Sequence, residues 1–147
     1  MKEDKRFKDH PYRPEEITGH IEGARKKLKA AYKIADLDEE SSYELSYEAM
    51  LKASLALILR SGRRPRSQAG HHIAIIEMAS SLLGGESADL IRSFDEMRRN
   101  RNSFLYGGDL FASDHEVKDA LQVTKQYLEL IERKLKDVRP HRHNKAD

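Results

Sequence analysis

The sequence contains no cysteine among its 147 residues. Disulfide staples, thiol nucleophiles and thiolate metal sites are therefore excluded. Long apolar runs are missing as well, and none approaches the roughly 20 residues that a bilayer crossing needs. The opening MKEDKRFKDH lacks the apolar core of a secretion signal, so the chain is expected to be cytosolic, with no membrane partner. An excess of one charge is also lacking. Lysine and arginine total 27 against 25 aspartates and glutamates, a net of +2. Any preference for nucleic acid has to come from local patches. There is no internal repeat, no low-complexity linker, no glycine-rich phosphate loop after a strand and no nucleophile-elbow serine. No histidine–carboxylate grouping has metal-ligand spacing, so neither a cofactor nor a bound metal is expected.

What the sequence does have is helical periodicity. Charged residues at 35% and hydrophobic ones at 38% suit helices whose outer faces are saturated with charge, and the length fits a single core. The expected fold is all-α, an up-and-down bundle of about five helices near residues 14–36, 38–61, 67–83, 86–106 and 113–137, with no sheet. Residues 1–13 are expected to be a charged flexible arm, 14–137 a single domain, and 138–147 a basic disordered tail.

Pro14 followed by Glu15 and Glu16 suits a helix start. Ile17, Ile21, Ala24, Leu28, Ala31 and Ala35 then keep a three–four spacing. The opposite side of this first helix, Arg25, Lys26, Lys27, Lys29 and Lys33, is basic. It is either a solvated face or a phosphate-contacting one. Asp38 is the expected N-cap of the second helix, with Tyr43, Tyr47, Met50, Leu51, Leu55 and Ile58 as its buried stripe and Gly62 as its stop.

The densest positive cluster follows, Arg60-Ser61-Gly62-Arg63-Arg64-Pro65-Arg66. A turn between helices needs Gly and Pro but not four arginines, so Arg63, Arg64 and Arg66 are candidate phosphate contacts. Ser67 is the expected cap of the third helix, whose run Ile73, Ile75, Ile76, Met78, Ala79, Leu82 and Leu83 is apolar nearly all round and predicts a central position. His71 and His72 lie at its positive end, which favours neutral imidazoles. Projecting about 100° apart, they are a poor chelating pair. Either one is hydrogen-bonded in the core and the other exposed, or one of them reaches an anion site beside the arginine turn. Gly84-Gly85 ends this helix, and Ser113, with Asp114 and Glu116 behind it, caps the last.

The stretch DEMRRNRNSFLYGGD, residues 95–109, carries the sharpest signal. Leu90, Phe94, Met97, Arg101 and Phe104 fall on one helical stripe, which puts a permanently charged guanidinium where an apolar residue belongs. An unpaired arginine there is costly. The stripe therefore meets a partner surface, or Arg101 points into a polar cavity, or its stem snorkels along a solvated face. Asp95, Asn102 and Tyr106 share a neighbouring face, with Arg98 between the two.

This segment resembles the signature of the HEPN family (higher eukaryotes and prokaryotes nucleotide-binding), in which an arginine and a polar residue are followed, after a spacer of four to six residues, by a histidine late in a helical bundle. Arg101-Asn102-Ser103-Phe104-Leu105-Tyr106 matches the arginine, the polar neighbour and the spacing, and departs at Tyr106, which stands where the histidine is expected. Arg99-Asn100 fits with a longer spacer, so which arginine belongs to the motif is left open. The resemblance covers about residues 40 to 135. It implies a prokaryotic module that binds nucleotide or RNA and forms a homodimer; the candidate binding residues are Arg98, Arg99, Arg63, Arg64, Arg66, His71 and His72, beside the motif residues Arg101, Asn102 and Tyr106. It also implies, as a partner, a minimal nucleotidyltransferase in a toxin–antitoxin-type pair, where a tyrosine such as Tyr106 can accept transferred AMP.

Two alternatives follow. One is a metal-independent endoribonuclease with Arg101, Asn102 and Tyr106 as catalytic residues at a dimer interface. A phenol titrating near ~10 is a poor general base at neutral pH, and His71, His72 or His115 would have to supply the imidazole. The other is a structural helical dimer whose arginines pair with Asp95 and Glu96.

Overall fold

The computed structural model of the protein describes residues 4–106 and 112–141, with residues 104–106 described by their backbone alone. Five helices carry the fold: α1 (Pro14–Ile34), α2 (Glu39–Arg60), α3 (His71–Leu83), α4 (Ala88–Tyr106) and α5 (Asp114–Lys134). A 3-10 turn, Gly85–Ser87, leads into α4. The bundle class expected from the periodicity is the one observed.

Local signals set most of the helix ends. Pro14 occupies the first turn of α1 with Glu15 and Glu16 beside it. Asp38 caps α2 by accepting a hydrogen bond from the Ser41 amide at 3.1 Å. Ser113 and Glu116 form a reciprocal capping box at the start of α5. Gly62 and Gly84, both at φ 84°, supply the positive φ, open to glycine, where α2 and α3 end.

The centre of the bundle is α2 rather than α3. It packs against α1, α3, α4 and α5, and Ala49, Ala53, Ala56, Ser42, Ser46 and Ser54 are all completely buried. Small residues let four helices approach one helix closely. Two of the buried hydroxyls return to the backbone, Ser42 to the Ala31 carbonyl and Ser54 to that of Met50, which removes most of the cost of burying them. Around this helix close Phe94 of α4 and Tyr127 of α5, whose rings lie 5.3 Å apart. The α3 run is apolar nearly all round for a different reason: its far side is covered by Phe7.

Phe7 belongs to the segment expected to be a loose arm. Residues Phe7–Asp9 form β1, which pairs antiparallel with β2 (Arg63–Pro65), Lys8 opposite Arg64 and Asp9 opposite Arg63. A small two-stranded sheet is therefore present where none was expected. Phe7 is buried against Ile58, Ala74, Ile75 and Met78, and this apolar anchor ties the arm down. The other end of the chain also returns to this ribbon. The Arg63 Nη2 donates to His141 Nδ1 at 2.6 Å, and the His141 amide bonds to the Ser61 carbonyl. The rest of the expected tail, residues 142–147, and the glycines after Tyr106 lie outside the described residues.

The third helix also begins later than expected. Ser67 does not cap it; α3 starts at His71 after Gly70, which sits at φ 77°. Pairing with β1 keeps residues 63–65 extended, and the Arg66 amide continues the ladder to the Arg6 carbonyl at 2.8 Å. The chain therefore needs a glycine turn before it can enter a helix. Among the described residues, no helix is long and apolar enough to cross a membrane.

Candidate functional site

The start of α3 and the last turns of α4 enclose a cavity of about 310 Å³. From the α3 side it is lined by Gln68, Gly70, His71 and His72, and from α4 by Arg98, Arg101 and Asn102. Five residues singled out in the sequence, far apart along the chain, thus share one wall. No carboxylate is among the lining residues. The start of α3 adds the positive end of the helix dipole.

Arg101 does occupy an apolar stripe, between the buried Met97 and the end of α4. Its partner lies within the chain: Nε donates to Glu44 Oε2 of α2, and the guanidinium carbon lies 5.4 Å from the centre of the Tyr47 ring. The arginine is thus paired on one side and stacked on the other. Burial pulls its pKa down, but the hydrogen bond and charge of Glu44 outweigh this and the net shift is upward. Burial pushes the Glu44 carboxyl up, with Glu48 adding to the effect and Arg101 opposing it.

Tyr47 links the arginine to an imidazole. It is fully buried, and its hydroxyl lies 2.9 Å from His72 Nδ1. Burial raises the phenol's pKa, against the opposing charges of Arg101 and Arg98, so the proton stays on oxygen. His72 is held below the usual histidine range, first by burial and then by the positive charges of His71, Arg101 and Arg98. A neutral His72 has two tautomers here: Nδ1 either accepts from Tyr47, with the proton on Nε2, or donates to the Tyr47 oxygen, which leaves the Nε2 lone pair free. His71, edge-on to His72 at 4.7 Å, is within hydrogen-bond distance of the Gln68 carbonyl, 3.2 Å from Nδ1.

Arg98 pairs through Nε with Asp95 at 3.0 Å, and Arg99 lies 3.8 Å from the same carboxylate. In both Arg98 and Arg101 the ion pair uses Nε, which leaves the terminal guanidinium nitrogens for a ligand in the cavity. Asn100, the polar neighbour in the alternative register, faces away and donates to the Tyr43 hydroxyl at 3.2 Å. Arg99 lines an adjoining groove of about 660 Å³ with Arg6, Glu77 and Asp95, which shares Ile73 and Arg98 with the cavity.

Arg63, Arg64 and Arg66 do not join the cavity lining. They lie on or just after β2, where Arg63 is half-buried against the Met78 sulfur and His141, and Arg66 Nε donates to the Lys5 carbonyl. The side chain of Tyr106 lies outside the described residues; its backbone forms the last residue of α4. His115 is on α5. Among the described residues, no three His, Asp or Glu side chains are grouped as a metal ion would need.

Glu44 and Tyr47 are the residues that sequence reasoning missed. The available signal was Glu44 beside the Tyr43–Tyr47 stripe, a carboxylate bordering an apolar face that could match the misplaced arginine on α4. No family model matches the chain, and no curated protein is significantly similar to it.

Proposed function

We propose that the protein is a HEPN-like module that binds a nucleotide, or one nucleotide of an RNA strand, in the cavity between α3 and α4. The observation that carries this reading is the cavity lining: two arginines, two histidines, an asparagine and a helix N-terminus, without one carboxylate. Such a wall favours a phosphate through charge-assisted hydrogen bonds and the helix dipole. A volume of about 310 Å³ lies at the small end of ligand pockets, which suits a single nucleotide. A homodimer and a nucleotidyltransferase partner in a toxin–antitoxin-type pair accompany this reading through the family resemblance.

Titration with AMP and with a short single-stranded RNA tests it. Arg98→Gln and Asn102→Ala should each weaken binding about tenfold, and affinity should fall as salt rises. Binding that ignores both substitutions would refute the cavity as the site.

A second reading is a metal-independent endoribonuclease, favoured by the placement of a neutral imidazole, His72, in the same cavity as Arg101. In the tautomer that donates from Nδ1 to the Tyr47 hydroxyl, His72 would take the proton of an attacking 2′-hydroxyl at Nε2 while Arg101 stabilises the phosphorane charge. Cleavage of RNA in EDTA that is lost with His72→Gln would favour this reading over binding alone. The third, a structural helical dimer, draws on the pairing of Arg98 and Arg99 with Asp95; it predicts no RNA binding at all.

A further inference from the structure

Between α1 and α5 lies a cleft of about 410 Å³. Its floor is Leu28, which packs on the main core, and one wall is the ring of Tyr32, 48% exposed. Arg25, Lys29 and Lys125 rim it. Arg25 is paired with Glu132 of α5, which pins the two helices at this spacing. Lys29 and Lys125 make no ion pair among the described residues. Lys29 is flanked at all four adjacent helical positions by Arg25, Lys26, Tyr32 and Lys33, so nothing on its own helix neutralises it. Like charges four apart oppose helix formation, and an external polyanion would relieve that repulsion.

We propose that this cleft is a second contact surface for single-stranded RNA: one base stacks on Tyr32 while Lys29 and Lys125 hold the flanking phosphates. An open aromatic face takes any flat base, and lysines act as point charges that follow a backbone without demanding fixed geometry. Lysines would serve an acidic peptide as well; the exposed Tyr32 ring beside them, a stacking face for any base, is what favours a nucleic-acid strand. The inference rests on RNA as the ligand class, but not on the cavity, since neither α1 nor α5 lines that site.

The test uses the full chain and a fluorescein-labelled oligouridylate of about twelve nucleotides, within the usual span of single-strand sites. Tyr32→Ala should weaken binding between about fivefold and a hundredfold, and Tyr32→Phe should retain it. Lys29→Gln and Lys125→Gln should each lower the slope of log affinity against log salt by about 0.7. AMP binding should not respond to Tyr32→Ala. Oligouridylate binding that depends on Arg98 but not on Tyr32 would overturn the inference and leave the cavity reading standing. Binding that depends on Tyr32 in a protein that takes no AMP would do the reverse. Wild-type protein that binds no oligouridylate, or a Tyr32 site filled by a Glu- and Phe-rich peptide instead, would also overturn it.

Discussion

Arg101 of α4 and Glu44 of α2 form an ion pair across 57 residues of sequence, with about a quarter of each side chain exposed. Breaking such a pair strands a charge that has already lost much of its water. Glu44→Gln should therefore cost about 1–2 kcal/mol of stability, less than a fully buried pair because water still screens the site. The same change frees the guanidinium for an anion, so AMP should bind more tightly as the protein becomes less stable. Urea denaturation and a binding titration on one sample check both halves. A loss of stability without tighter binding would mean that Arg101 is purely structural.

The arm gives a separate prediction. Phe7 fills a pocket made by Ile58, Ala74, Ile75 and Met78, and it is the only apolar residue of β1. Phe7→Ala should cost about 3 kcal/mol through lost burial and the cavity left behind. Amides of residues 7–9 should then exchange with solvent far faster, measurable by hydrogen exchange. An unchanged melting temperature would mean that the ribbon contributes little.

Most of the bundle was legible because its signals are local. Pro14, Asp38 and the pair Ser113–Glu116 each announce a helix start within four residues, and Gly62 and Gly84 each mark an end. The three–four spacing of Ile17, Ile21, Ala24 and Ala31 identifies the buried face of α1 without any knowledge of what covers it. The ribbon was not legible. Three-residue strands are too short to show alternation, and Phe7 among charged neighbours looks like a stray apolar residue until Arg63–Pro65 is brought beside it. The centrality of α2 was hidden as well, because alanines and serines such as Ala49 and Ser46 carry no periodic hydrophobic signal. The candidate site was half legible. The arginine on an apolar stripe was visible, but its partner Glu44 is fixed only by the packing of α4 on α2.

The stability of the protein should depend on pH through its histidines. Burial first, and then the charges of His71, Arg101 and Arg98, hold His72 below its ordinary value of 6.5. His20 is lowered in the same sense by burial and by Lys52. Below about 6.5 the unfolded chain takes up these protons before the folded one, so the unfolded state gains. The contribution is fully present above about 6.5 and is lost as pH falls through the depressed folded values. Glu44, held above its ordinary 4.5, works in the opposite sense but nearer the carboxylate range. The urea midpoint should thus be level between about pH 8 and 7 and fall below about 6.5, with His72→Gln flattening part of the fall. An acid limb identical in the wild type, His72→Gln and His20→Gln would show that neither imidazole is responsible.

The final prediction concerns Tyr106, at the end of α4. In the HEPN-like signature that Arg101 and Asn102 resemble, a histidine at this position handles the proton of the attacking hydroxyl. General acid–base catalysis contributes on the order of a hundred- to ten-thousandfold, so a chain with tyrosine there should cut RNA slowly unless another imidazole serves. On the proposed reading, Tyr106→His completes the resemblance, with Arg101, four intervening residues and the introduced ring, and should produce measurable cleavage in EDTA. Removing Arg101 should abolish that gain. Because Arg101→Ala alone would strand Glu44, the control is the pair Arg101→Gln with Glu44→Gln, which leaves no buried unpaired charge. His72→Gln in the Tyr106→His background separates the two imidazoles: activity that persists assigns the proton transfer to position 106. Wild-type protein that already cleaves RNA in EDTA, and keeps doing so as Tyr106→Phe but not as His72→Gln, would instead make His72 the catalytic base and raise the ribonuclease reading above the binding one.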